Sequence, residues 1–205
     1  MGSPVNSDME SDISETAGGP DLTRLERIED WLGINTTTRI SERWTAALGA
    51  FLAILAVFGA SGWALGEENL VVATSMGSSA VLLFSVPHSA LSQPWPLVGG
   101  HVCSALVGVA CAMFLGTSFL SAGLAVGVAV LIMQLTRCTH PPAGATALAA
   151  VIGGDAVTDL GWFFVLKPVL LNALLLLLAA LLFNWPRRSH WYPARFAQRS
   201  RRKSS

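Results

Sequence analysis

From Trp44 to Trp185 only six residues carry a formal charge: Glu67, Glu68, Arg137, Asp155, Asp159 and Lys167. Hydrophobic residues make up 52% of the chain and charged residues 13%, with a mean hydropathy of +0.54. That balance lies outside the range of soluble domains and predicts an all-α polytopic membrane protein. The formal net charge of zero hides a strong asymmetry. Nine acidic and four basic residues precede Trp44, whereas seven basic and no acidic residues follow Trp185.

A crossing takes about twenty apolar residues. Trp44–Leu65, Leu97–Gly116, Phe119–Leu135 and Trp162–Asn184 read as spans, the last with an unbroken leucine run from Leu174 to Leu178. Asn69–Val86 also reads as a span, interrupted by Ser75-Met76-Gly77-Ser78-Ser79. Pro142–Gly153 is too short to cross about 30 Å without irregular flanks. The expected fold is therefore a helix bundle with two interrupted helices. Around it, residues 1–20 read as a disordered tail rich in Ser, Gly, Asp and Glu, with too little apolar surface to offset ordering. That tail has no basic stretch leading into an apolar one, so it is not read as a signal peptide. Residues 21–43 read as an amphipathic juxtamembrane helix, 44–185 as the membrane domain and 186–205 as a basic tail.

Arg24, Arg27, Arg39 and Arg43 precede the first span, and the arginine-rich tail follows the last. Basic residues favour the cytoplasmic side, so both termini are expected there, in the plasma (inner) membrane, with an even number of crossings. Six crossings place Arg137 inside and the acidic residues outside; four full spans plus re-entrant segments is the alternative. Gly77-Ser78-Ser79-Ala80-Val81-Leu82 is similar to Gly144-Ala145-Thr146-Ala147-Leu148-Ala149 at an offset of 67. The same offset aligns the first span with the fourth and the third with the sixth, as 3+3 inverted repeats would.

The densest chemistry lies in RCTHPPAGATAL, Arg137 to Leu148. Pro141 and Pro142 stop one helix and suit the first turn of the next. Arg137 and His140 stand at that helix start, where the dipole is positive and unpaired N–H groups point outward. Broken helices of this kind hold anions in many transporters. The small residues from Ala143 to Ala147 permit close approach.

The stretch from Gly77 to Val109, together with THPPAGATALAAVIGG from Thr139 to Gly154, resembles the HPP family of integral membrane proteins. That family is named for the triplet that stands here as His140-Pro141-Pro142. The similarity covers roughly residues 39–186, nearly the whole apolar domain. The resemblance implies a bundle usually described with four membrane helices and a role in transport, with nitrite as the substrate associated with plastid and cyanobacterial relatives. It carries nothing over to Cys138, which reads as a local variation.

The candidate substrate-binding residues are Arg137, His140, Gly144, Thr146, Gly77, Ser78, Ser79 and His101. Each has a plainer reading. Arg137 serves equally well as a topology marker, and His140 as a cap. Ser78, Ser79 and Thr146 can back-bond to helix carbonyls. His101, deeper in a span, is the kind of group that is costly unless used. Gly100, Ser104 and Gly108, like Gly123 and Gly127, are spaced for close helix contact. Cys103, Cys111 and Cys138 form no C-x-x-C pair. No metal, cofactor or catalytic set is expected, so the chain is not read as an enzyme. The leading expectation is a transporter or channel for a small inorganic anion, nitrite first; the alternative is a non-transporting membrane interaction or sensor protein. The expected partners are the anion and anionic lipid headgroups at the tail. Nucleic acid is not expected, and a homo-oligomer is left open.

Overall fold

The computed structural model describes Leu32 and residues 40–65, 70–184 and 192–193. The expectations for residues 1–20, for most of 21–43 and for most of 186–205 fall outside the described residues. The chain divides at Arg39, and the body that begins at Ile40 is the one considered below.

Among the described residues the architecture is entirely helical. In chain order, α1 is Ile40–Leu65, α2 Leu70–Ser85, α3 Pro94–Leu115, α4 Phe119–Leu135, α5 Ala143–Ile152, α6 Asp155–Thr158 and α7 Leu171–Asn184. A single 3₁₀ turn, Ala90–Ser92, sits between α2 and α3. The wide-turned segment Val165–Leu170 leads into α7. Among the described residues three segments are long and apolar enough to cross a membrane: Ile40–Gly59, Pro94–Leu115 and Val165–Asn184. The first begins four residues before the expected Trp44, so Ile40–Arg43 belongs to the span, not to a separate juxtamembrane helix.

Ring contacts show how the ends of these helices line up. A Cβ added at Gly49 of α1 would fall 2.5 Å from ring atoms of both Phe84 and Phe183. Those two rings meet edge to face with centroids 5.3 Å apart. The middle of the Ile40–Gly59 span therefore meets the last turns of α2 and α7. Trp95 Nε1 donates to the carbonyl of Thr136 at 3.1 Å, which joins the start of α3 to the end of α4. The opposite side is marked by an apolar cavity of about 150 Å³ lined by Val109, Ala112, Met113, Ala150 and Val157 with Thr158 and Gly161. The end of α2, the start of α3 and the end of α4 thus share one side, and Arg137, two residues past α4, lies there too.

Two features of the interrupted helices differ from the sequence reading. The small polar run in α2 does not break it: the helix is continuous from Leu70 to Ser85. Its serines stay inside the helix by bonding backward, Ser78 Oγ to the Thr74 and Ser75 carbonyls and Ser79 Oγ to the Ser75 carbonyl. Such bonds satisfy the hydroxyl without opening the helix. The second break lies instead within the last span, where Lys167 leaves helical geometry (φ −132°, ψ 117°) directly before Pro168. Proline excludes the preceding residue from the helical region, and it supplies no N–H of its own.

The break before α5 is where the proline pair places it, but its geometry is closed. The Ala143, Gly144 and Ala145 N–H groups donate to the carbonyls of His140, Pro141 and Pro142 at 2.9–3.1 Å. The first turn of α5 is wound as a tight continuation of the prolines, so those N–H groups are not presented to a ligand. With ten residues, α5 rises only about 15 Å.

Candidate functional site

Three helices bring small faces together at the centre of the bundle. Gly100 and Gly108 let α3 approach the 138–150 stretch closely. An added Cβ at Gly100 would lie 2.8 Å from His140 Cβ and 2.9 Å from the Cys138 carbonyl. One at Gly108 would lie 2.6 Å from the Ala147 carbonyl and 2.7 Å from Ala150 Cβ. Gly123 and Gly127 on α4 meet nothing within 4 Å. Of the two sets of small residues noted in the sequence, only the one on α3 is used for close packing inside the described residues.

That close approach encloses a polar chain. Ser79 Oγ of α2 lies 2.9 Å from His101 Nε2 and 2.9 Å from His140 Nε2. His101 Nδ1 lies 2.7 Å from Thr146 Oγ1 of α5, which in turn reaches Ser75 Oγ at 3.1 Å. His140 Nδ1 lies 2.8 Å from the Leu91 carbonyl in the 3₁₀ turn. The two imidazoles stand edge to face with centroids 5.1 Å apart. Ser75, Ser79, His101, His140 and Thr146 are all 0% exposed. Among the described residues no Asp, Glu, Lys or Arg is buried with them, and no three His, Cys, Asp or Glu side chains converge as a metal site would require.

One tautomer follows from the partners. A carbonyl only accepts, so His140 Nδ1 carries the hydrogen and donates to Leu91. Neutral His140 therefore offers its Nε2 lone pair to the Ser79 hydroxyl. The site lies one to two helical turns inside the bundle from the side that holds Arg137. Ser79 is six residues from the end of α2, and His101 seven past the start of α3.

The structure brings together four of the eight sequence-derived candidates: Ser79, His101, His140 and Thr146. The other four stand apart from this chain. Arg137 is exposed, in the left-handed region at φ 57°. Ser78 is exposed and bonded to its own helix. Gly77 is half-buried with nothing within 4 Å of an added Cβ, and at Gly144 the nearest atom is Val126 Cγ1 at 4.0 Å. Gly144 is therefore not the close-approach glycine; Gly100 is. Sequence reasoning missed Ser75 as a member and the Leu91 carbonyl as an anchor. Ser75 was recoverable, since it precedes Ser79 by four residues and so shares its helix face.

The tail contributes one unexpected contact. Tyr192, within the tail expected at the lipid headgroups, is 2% exposed and donates from its hydroxyl to the Ser92 carbonyl at 2.9 Å. It packs with the core rather than against lipid. Burial pushes its phenol well above the usual tyrosine range.

Residues 35–193 match the family model described as HPP, transmembrane region. That match ends one residue beyond the Tyr192 contact. A transmembrane protein of Dictyostelium discoideum is 33% identical over 181 residues, covering 82% of this chain and 62% of its own length. A second from the same organism is 37% identical over 131 residues, covering 62% of this chain and 42% of its own. The chain thus spans less than two thirds of the length of either relative. No solved structure matches it.

Proposed function

We propose that this chain, which belongs to the HPP family of transmembrane proteins, is a transporter or channel for a small inorganic anion, with nitrite as the leading candidate. One observation carries the reading: five polar side chains from α2, α3, α5 and the loop before it meet at 0% exposure inside a membrane bundle. Polar groups at membrane depth are expensive, and their usual return is a substrate or ion pathway. The chemistry suits a small anion. Imidazole N–H and hydroxyl O–H groups donate hydrogen bonds, and no buried carboxylate among the described residues opposes a negative charge. The site is also too compact, and too poor in fixed positive charge, for a polyanion.

The donors differ from those first expected. The α5 N–H groups are taken by the proline turn, so Ser79, His101, His140 and Thr146 are the binding side chains in this reading. Arg137, exposed on the nearer side, attracts anions at long range without touching them. That side is cytoplasmic on the positive-inside rule, with the plasma (inner) membrane as location. The tail arginines associate with anionic headgroups, at about 1 kcal/mol per basic residue near the surface. The test is flux in proteoliposomes with nitrite, nitrate, formate and chloride, protein-free vesicles serving as the baseline. Uptake of at least one anion above that baseline, lost in His101→Ala, is expected; no uptake of any would favour a non-transporting membrane role.

A further inference from the structure

Two consecutive carbonyls ahead of α3 take their hydrogens from side chains far away in the chain. The sequence there is Leu91-Ser92-Gln93-Pro94-Trp95-Pro96. A carbonyl leading into a helix normally accepts from an N–H three or four residues on, and proline has none to give. Pro94 stands three residues after Leu91, and Pro96 four after Ser92. Among the described residues neither carbonyl receives a backbone N–H, and the Leu97 N–H goes to the Gln93 carbonyl at 3.0 Å. A carbonyl shut off from water without a donor is costly. Here the gaps are filled from elsewhere. His140 Nδ1 donates to the Leu91 carbonyl at 2.8 Å, and the Tyr192 hydroxyl donates to the Ser92 carbonyl at 2.9 Å.

We propose that Tyr192 is a positioning residue of the buried cluster: through the Leu91–Ser92 turn it holds the His140 ring so that Nε2 faces Ser79. The functional side of this inference rests on the anion-transport reading above and deepens it by adding a residue from beyond α7 to that site. The two carbonyls flank one Cα, that of Ser92, so they turn together. The Tyr192 hydroxyl fixes the second, and the first then has one direction in which to receive His140. Imidazole is planar and rigid, so a ring held at Nδ1 is also aimed at Nε2, which lies 2.9 Å from Ser79 Oγ. Side chains that bind substrate are commonly kept in place by such an outer layer of hydrogen bonds. Without the Tyr192 hydroxyl the Ser92 carbonyl is buried and unpaired. Turning it toward another donor swings the Leu91 carbonyl away from His140.

The other hydrogen bonds of the turn are local and leave this role open. Leu91 N–H donates to Ser89 Oγ at 3.2 Å and Ser92 N–H to the Ser89 carbonyl at 3.1 Å. Ser92 Oγ donates to the Leu82 and Val86 carbonyls at 3.2 and 2.9 Å. These bonds fold the turn onto the end of α2, but none of them satisfies the Leu91 or the Ser92 carbonyl. His140 and Tyr192 reach the same two residues across sequence separations of 49 and 100. Tyr192 is also shielded from water, at 2% exposure in the apolar cluster that holds Leu83 and Leu97. Water therefore does not stand in for its hydroxyl. Burial keeps that phenol well above the usual tyrosine range, so it remains a donor throughout the neutral region.

The experiment uses the full chain in two formats. In detergent at neutral pH, ¹⁵N-histidine NMR follows the exchange of the His140 Nδ1 hydrogen with water, the signal being identified by its loss in His140→Gln. Tyr192→Phe removes the hydroxyl at nearly constant shape, and exchange should become roughly fivefold faster, the factor that one net hydrogen bond amounts to. Tyr192→para-aminophenylalanine keeps a donor at the same place and should restore the slow rate. A merely structural Tyr192 would lower the unfolding midpoint and leave the exchange at His140 as it was. In proteoliposomes, nitrite uptake at subsaturating concentration should fall by a similar factor in Tyr192→Phe and recover in the para-amino variant. Unaltered exchange, or unaltered uptake despite faster exchange, would overturn this inference while leaving anion transport standing. Absence of flux for every anion in the unmodified protein would overturn the transport reading, and the exchange rate would then decide the hold on His140 by itself.

Discussion

Helices α3 and α4 follow one another in the chain and read almost alike: both apolar, both rich in glycine and alanine, neither with a charged residue. Their fates in the bundle differ. On α3 Gly99, Gly100, Ser104 and Gly108 are buried beside His101, and the helix packs against α4, α5 and the segments around α7. On α4 a single stripe, Ser121, Ala122, Ala125, Ala129 and Met133, faces inward, while Phe119, Leu120 and Leu135 are 97%, 74% and 73% exposed. A small residue acquires meaning from what stands opposite it. On α3 that is the backbone of the loop and half-helix bearing His140 and Thr146; at Gly123 and Gly127 it is nothing within 4 Å.

The most damaging test of this contrast is bulk at Gly108. Gly108→Leu should abolish monodisperse folded protein by size-exclusion chromatography, because the obstacle is the Ala147 carbonyl, not a movable side chain. Gly108→Ala should cost about 1–3 kcal/mol in detergent unfolding. Gly144→Ala, with only Val126 at 4.0 Å, should fold normally; equal damage at both sites would break the comparison.

Next comes the polar chain. His101→Leu removes two buried hydrogen bonds, to Ser79 and to Thr146, each worth about 0.5–1.5 kcal/mol. Anion flux should vanish along with that stability. Thr146→Val is milder, about 1 kcal/mol with reduced flux, since one hydroxyl is lost at nearly constant shape. Ser78→Ala on the exposed side of α2 should change neither quantity, and a comparable flux defect there would place the pathway elsewhere.

Tyr192 gives a smaller effect with a defined pH signature. Its phenol titrates higher in the folded state than in the unfolded chain, so its stabilisation is complete below about pH 10 and declines as pH rises beyond that. The chain has a single tyrosine. Subtracting the stability–pH curve of Tyr192→Phe should therefore isolate the decline, and Tyr192→Phe itself should cost about 1 kcal/mol near neutrality. Last, Gly127→Ala should be neutral or stabilising by about 0.5–1 kcal/mol, the ordinary gain of alanine in a helix. A loss there would show that the exposed α4 face is packed against something.

Much of the candidate site was legible in single residues. His101 was marked by its depth in a span, and His140 by the proline pair. Ser79 and Thr146 were marked by the 67-residue offset, which places one on the other. What the offset could not show is that they bracket one imidazole, Ser79 at Nε2 and Thr146 at Nδ1. Arg137 and Ser78 were credible by residue type alone yet stand apart from the cluster: Ser78 lies on the exposed face of α2, and Arg137 sits exposed in the turn after α4. The run Ser75–Ser79 misled for a related reason. Small polar residues weaken a helix in water, yet here their hydroxyls close onto the preceding turn.

By itself the sequence determined the solvent this chain lives in, the number and order of its apolar segments, and the break at Pro141-Pro142. Those follow from composition and from backbone chemistry that acts locally. The tertiary structure decided which side chains meet. Ser75 and Ser79, His101, and His140 and Thr146 come from three separate stretches, up to 71 residues apart, and no local rule links them. It also decided that the α5 N–H groups are spent on the proline turn and that the Tyr192 hydroxyl reaches the Ser92 carbonyl. Hydrogen bonds over such separations depend on helix rotation and spacing to within a fraction of an ångström, and that is set by packing around Gly100 and Gly108.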